Sequence, residues 1–288
     1  MQRKSHLLNP LQTERLGYGL LGFISLLTVL PIVALIVYIL IQGLPAINWT
    51  FLTAMPTDGM RSGGIFPAIV GTFYLTLGTA IFSIPPGIAA AIYLAEYASE
   101  NRWTRIIRIA IVNLAGIPSI IYGLFGLALF VEFMHLGSSI LAASLTLSIM
   151  TLPVIISTTE EALKAVPNSF RVVSVTLGAT RWQTIWRVIL PEAIPGVLTG
   201  VILGLERAAG ETAPILFTGA AFFLPRLPNS PFDPTMALPY HLYVISTQVP
   251  GMPIHIQYGT VLVLMLFVLG MNIFATVIRS RARARRQW

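Results

Sequence analysis

The sequence contains no cysteine. Disulfides, thiolate metal sites and a cysteine nucleophile are therefore all excluded. Charge is also scarce: only 10% of the 288 residues are Asp, Glu, Lys or Arg, and 55% are hydrophobic. A soluble domain carries about a quarter charged residues, so with a mean hydropathy of +0.79 the chain reads as a polytopic membrane protein. No G-x-x-x-x-G-K-[ST] string occurs, which excludes a P-loop for ATP, and no H-E-x-x-H occurs either. The four histidines, His6, His135, His241 and His255, are scattered and have no metal-like neighbours, so they read as surface or loop residues. The 23 glycines and 20 prolines suit membrane helices better than soluble ones.

Six apolar stretches emerge, at about 17–42, 65–97, 106–133, 139–159, 193–217 and 258–278. Each is long enough to span a bilayer as a helix. The first is too long for a signal-peptide core and lacks an A-x-A site, so it is expected to be retained. Pro85-Pro86 is expected to break or kink the second, and Pro118 to interrupt the third. If both tails are cytoplasmic, the inside segments hold Arg3, Lys4, Arg15, Arg102, Arg105, Arg108, Lys164, Arg171, Arg181, Arg187 and the five tail arginines 279, 281, 283, 285 and 286. Only Arg61 and Arg226 then lie outside, and the positive-inside rule selects that orientation. The layout is a cytoplasmic tail 1–15, a six-helix domain 16–278 with a cytoplasmic loop 160–192 and a proline-rich external loop 221–257, and a basic cytoplasmic tail 279–288. That tail anchors topology and suits anionic membrane lipid. Its charge is no argument for nucleic acid, and none is expected as a partner.

The fifth stretch carries three ionisable residues, Glu206, Arg207 and Glu211. A charge at the centre of a spanning helix costs roughly 2.5–3.5 kcal/mol, so such residues face protein or a water-filled path. Arg207 and Glu211 are four apart and share a helix face, whereas Glu206 lies about 100° away from Arg207. Ala208 and Gly210 keep the helix slim for a close neighbour, and Pro214 invites a bend just past the charges. Two readings stand: an Arg–Glu pair that locks helices together, or an anion-contacting site.

In the loop before it, Thr180-Arg181-Trp182-Gln183 matches a capping box. Trp182, Ile185, Trp186 and Ile189 fall on one helical face. Gly178 supplies a positive φ or a close approach, and Leu190-Pro191 is expected to end this segment. The amphipathic helix either lies on the membrane or docks on a partner.

Gly178 and, after nine intervening residues, Val188-Ile-Leu-Pro191 resemble the loop motif of permease subunits of prokaryotic ABC importers. The Glu-Ala-Ala that opens the family pattern is replaced by Val172-Val173-Ser174. Arg207-Ala-Ala-Gly-Glu211-Thr-Ala-Pro-Ile-Leu-Phe-Thr218, Leu177-Gly-Ala-Thr-Arg-Trp182 and Gly63-Gly-Ile-Phe-Pro-Ala-Ile-Val-Gly-Thr72 are similar to the PstA family of phosphate-importer permeases. Glu206 departs from it, standing where a small or uncharged residue is expected. The resemblance implies an all-α permease of the MetI-like type, multi-pass in a prokaryotic cell membrane. It implies a substrate path at Arg207, Glu211, Thr212 and Glu206, and ATPase coupling through Arg171, Gly178, Ala179, Thr180, Arg181 and Trp182. It also implies a homologous permease (PstC-like), an ATPase dimer (PstB-like) that carries ATP and Mg, and an external phosphate-binding protein (PstS-like); this chain itself needs no cofactor. Another oxyanion such as molybdate or sulfate, a passive anion channel, and an intramembrane enzyme with Glu206 or Glu211 as base are the alternatives.

Overall fold

The computed structural model describes residues 10–284; Arg3, Lys4, Arg285 and Arg286 lie outside the described residues. Twelve α-helices make up most of it, in the order α1 (Pro10–Gly43), α2 (Trp49–Thr53), α3 (Phe66–Ile92), α4 (Arg102–Ala115), α5 (Ser119–Gly126), α6 (Ile140–Lys164), α7 (Asn168–Thr176), α8 (Arg181–Thr184), α9 (Leu190–Gly210), α10 (Ala213–Thr218), α11 (Leu238–Thr247) and α12 (Ile254–Ala284). The one two-stranded hairpin, β1 (Pro56–Thr57) and β2 (Ser62–Gly63), sits in the loop before α3. Five helical runs are long and apolar enough to cross a membrane, Gly17–Ala46, Phe66–Tyr97, Ile140–Lys164, Arg181–Gly210 and Ile254–Arg281. A sixth span arises if the bent pair Arg102–Ala115 and Ser119–Phe133 is counted as one.

The helices begin where the sequence offers a cap. Asn101 accepts from the Thr104 N–H (2.9 Å) at the start of α4, and Ser139 from the Ala142 N–H (3.1 Å) at the start of α6. The core is built on α6, which α3 and α9 flank. Glycine spacing explains the α6–α9 contact. Gly196, Gly200 and Gly204 face Ala162, Thr158 and Ile155 at successive turns of α6, where a Cβ would overlap each neighbour or press against it. Small residues at every fourth position let helices pack closely in lipid.

Several expectations need correction. Of the break or kink expected at Pro85-Pro86, the break does not occur, and α3 runs on through both prolines. Where no water replaces lost helix bonds, breaking costs more than bending, and Gly87 packs on Ile155 of α6 to hold the helix in place. Pro118 has the larger effect. Gly116 closes α4, Pro118 is extended (φ −56°, ψ 136°), and the two arms meet at 101°. Leu190-Pro191 does not end the loop helix. α8 continues through a π-helical turn, Ile185–Ile189, into α9 as one run, Arg181–Gly210. Pro191 lies inside this continuous run and lacks the N–H that would bond back along it, and the helix accommodates it with the π-helical turn directly before it.

The stretch 221–257 is not merely a loop. Its middle folds inward as α11, with Met236, Ala237, Leu238, Val244 and Ile245 buried in the main core. The Leu238 N–H donates to the Thr72 hydroxyl of α3 (2.8 Å). Gly71 permits this, since a Cβ there would overlap the Met236 carbonyl. His241 is only 2% exposed, and its Nδ1 has no hydrogen-bond partner. Burial lowers its pKa to about 4, so it is a neutral core residue.

Candidate functional site

α9 stops at Gly210, inside the charged cluster rather than at Pro214. Glu211 is already extended (φ −75°, ψ 135°), and the chain turns through Thr212 into the short α10. Gly210 faces open space and admits no neighbouring backbone, whereas Ala208 is buried. Arg207 therefore sits in the last helical turn, where the negative end of the helix dipole favours a cation.

The Arg207 Nε lies 3.5 Å from the Glu211 Oε1, with the two side chains 34% and 18% exposed. This is an ion pair without a hydrogen bond. Among the described residues the Arg207 guanidinium makes no hydrogen bond to the rest of the chain. Two other arginines show what a structural role looks like here. Arg108 donates to Glu160 (2.8 Å) and to the Leu94 carbonyl (2.9 Å). Arg171 donates to both Glu96 oxygens (2.6 and 3.2 Å) and to the carbonyls of Val166 and Leu163 (2.8 and 2.9 Å). Their donors are consumed internally; those of Arg207 are not.

Glu211 lines a cavity of about 10 Å³ with Thr72 and Thr76 of α3, Ala208 and Ala209 of α9, and Pro239 of α11. That volume barely admits one water, so it has no room for a polyatomic anion. Thr212 follows Glu211 and is half-buried. Glu206 does not join them. It lines a separate groove of about 230 Å³ between α9 and α12, among Leu198, Val201, Ile202, Leu205, Met271 and Phe274. Its Oε1 is buried without a partner. Its position 100° round from Arg207 turns it to the other side of α9.

In the loop, α7 ends in a Schellman motif. The Gly178 N–H reaches the Val175 carbonyl (2.9 Å) and the Ala179 N–H the Ser174 carbonyl (3.1 Å), with Gly178 at φ +83°. Both arms of the Thr180–Gln183 capping box are present. The apolar face of α8 divides: Ile185 and Ile189 are buried against Ile92, Leu163 and Val197, whereas Trp182 and Trp186 pack on each other (ring centroids 5.2 Å apart) and stay exposed. With Val172, Val173, Val175 and Leu177 (82% exposed) they leave a large apolar surface uncovered. Arg181 lies over the Tyr97 ring (5.8 Å).

Residues 87–285 match the family described as the binding-protein-dependent transport system inner membrane component. A Xylella fastidiosa (strain Temecula1) protein named phosphate transport system permease protein PstA is 33% identical over 83% of this chain and 83% of its own length. A Mycobacterium leprae PstA is 32% identical over 90% and 86%, and the Bacillus subtilis probable ABC transporter permease protein YqgI is 34% identical over 82% and 84%. The chain belongs to the PstA-type permeases of binding-protein-dependent transport systems. Its fold agrees. A bacterial alginate ABC transporter, solved with an alginate pentasaccharide-bound periplasmic protein, contains a chain that matches with TM-score 0.70 at 15% identity over 94% of this chain and 96% of that one. The inward-facing MetNI methionine ABC transporter contains one with TM-score 0.62 at 17% identity over 78% and 99%. This PstA-type permease is thus a MetI-like membrane subunit, and its relatives are transport proteins rather than enzymes.

Proposed function

We propose that the chain is the permease subunit through which inorganic phosphate enters a prokaryotic cell across the plasma membrane, powered by a separate ATPase. The supporting observation is the unsaturated guanidinium of Arg207 at the break of a spanning helix, beside Glu211. Phosphate near neutral pH is an anion that retains protons. A guanidinium offers forked donors to its oxygens, and a carboxylate accepts its O–H. Sulfate, lacking that proton, leaves the acceptor unpaired, and this penalises it. A single Arg per subunit holds the ion weakly enough to release it.

The cavity behind Glu211 is too small for the ion, which supports a path along the outer side of the chain, between it and a homologous, PstC-like permease whose own cation completes the site. The positive-inside count places 160–192 and both tails in the cytoplasm. The exposed Val172–Trp186 surface then receives a PstB-like ATPase dimer, which carries the ATP and Mg, and the external side faces a PstS-like phosphate-binding protein. Gly178, Ala179, Thr180, Arg181 and Trp182 form that coupling surface. Arg171 supports it from inside. Glu206 stands outside the path.

The test is phosphate uptake by proteoliposomes that hold the assembled importer. Uptake that requires both ATP and the binding protein is expected; uptake that persists without ATP would make the chain a channel. Glu211→Gln should narrow the preference for phosphate over sulfate, and an unchanged preference would remove Glu211 from selection.

A further inference from the structure

The end of α3 is tied to the loop by contacts that packing alone does not require. After Ile92 the helix loosens into a π-helical turn, Tyr93–Tyr97. Glu96, in that turn, takes Arg171 of α7 in a two-oxygen fork, with Nη2 at 2.6 Å and Nε at 3.2 Å. The pair is largely buried, 23% exposed on the Arg171 side chain and 9% on Glu96. The other Arg171 bonds go to the Val166 and Leu163 carbonyls at the end of α6. One guanidinium thus joins α3, α6 and α7. Next to Glu96, Tyr97 lies under the guanidinium of Arg181, the first residue of the Arg181–Gly210 run.

Two continuous helices lead away from this junction. The Arg181–Gly210 run of 30 residues ends on Arg207. At 1.5 Å per residue it is about 45 Å long. The Phe66–Tyr97 run carries Thr72 and Thr76, which line the cavity of Glu211 from the other side. Both walls of the site therefore start from one set of contacts at the loop.

We infer that Glu96 is a positioning residue for transport: its fork with Arg171 makes α3 move with the loop, so that a displacement of α7 and α8 changes the gap between α3 and α9 at Arg207 and Glu211. This rests on the proposed docking of an ATPase on the loop and adds a path for the displacement. Coupling needs an element with two arrangements that both sites bias; the π-helical turn supplies a short, irregular segment able to take two. Without the fork, α7 moves without α3, and hydrolysis continues while the site stays shut.

The experiment measures phosphate imported per ATP hydrolysed, with inorganic phosphate and the complete importer in proteoliposomes. Wild type, Glu96→Gln and Glu96→Asp are compared at equal amounts of assembled complex. Gln is isosteric but removes the charge, and the ratio should fall about 2- to 30-fold, the range produced by changes along a coupling path, with hydrolysis retained. Asp restores the carboxylate and should recover part of the ratio. Arg171→Lys, which cannot form the fork, should behave as Glu96→Gln does. An unchanged ratio in Glu96→Gln overturns the inference. Loss of the assembled complex with both Gln and Asp assigns the pair to folding alone and overturns it too. A wild-type complex that imports no phosphate with ATP would instead refute the proposed function.

Discussion

Arginine shows most clearly how placement decides role. Arg108 and Arg171 find carboxylates and carbonyls and spend their donors there. Arg207 has one distant carboxylate and no hydrogen bond among the described residues. Sequence spacing identified the Arg207–Glu211 pair but not how loosely it is held, because that depends on α9 ending at Gly210, a tertiary outcome. Nor did it show that Glu206 turns toward α12. An orphaned carboxyl oxygen in an apolar groove is unfavourable. Glu206→Leu should therefore raise thermal stability in detergent, by on the order of 1 kcal/mol for the orphaned group, and leave phosphate uptake within about twofold; a large loss of uptake would return Glu206 to the path. His241 gives a pH signature. Its folded pKa, about 4 against an ordinary 6.5, means the unfolded state binds more protons between those values. Stability should be insensitive to this group above about pH 6.5, and fall by roughly 3 kcal/mol toward pH 4. Unfolding of wild type and His241→Leu across that range checks it: the acid loss of the variant should be smaller.

At the scale of elements, caps and glycines were legible and helix continuity was not. The Thr180–Gln183 box and the positive φ of Gly178 follow from local chemistry. The continuity of α8 with α9, and of α3 across Pro85-Pro86, follows from packing on α6, which no window of sequence contains. The buried α11 was hidden for a related reason. Prolines around it read as loop, while its anchor is a bond to Thr72, far away in the chain. A Cβ at Gly178 meets open space, so Gly178→Val acts through backbone strain alone, roughly 1–2 kcal/mol. The subunit should insert and assemble normally while ATP hydrolysis uncouples from transport; unchanged coupling would remove the Schellman turn from the mechanism. Gly71→Ala, by contrast, drives a Cβ into the Met236 carbonyl. Its overpacking, about 1–3 kcal/mol, should appear as a lower melting temperature in detergent.

For the molecule as a whole, one arrangement recurs: long helices begin at an exposed apolar loop and lead to a charged pair beside a very small cavity. The loop has an apolar surface uncovered in this chain, and Arg207 has donors that the described residues leave unused. Both features make sense of a subunit that is completed by others. The family was legible because the motifs at 63–72, 177–191 and 207–218 are similar to those of PstA permeases, and the MetI-like fold followed from that resemblance. The path proposed for the ion was not, since half of it would belong to another chain. The measurement that bears on this most directly is phosphate uptake by the reconstituted importer with Arg207→Gln, at matched levels of assembled complex. Removing a desolvated charge that meets an anion costs at least about 2 kcal/mol, so uptake should fall by more than about tenfold while the complex stays assembled; uptake equal to wild type would contradict the role given to Arg207.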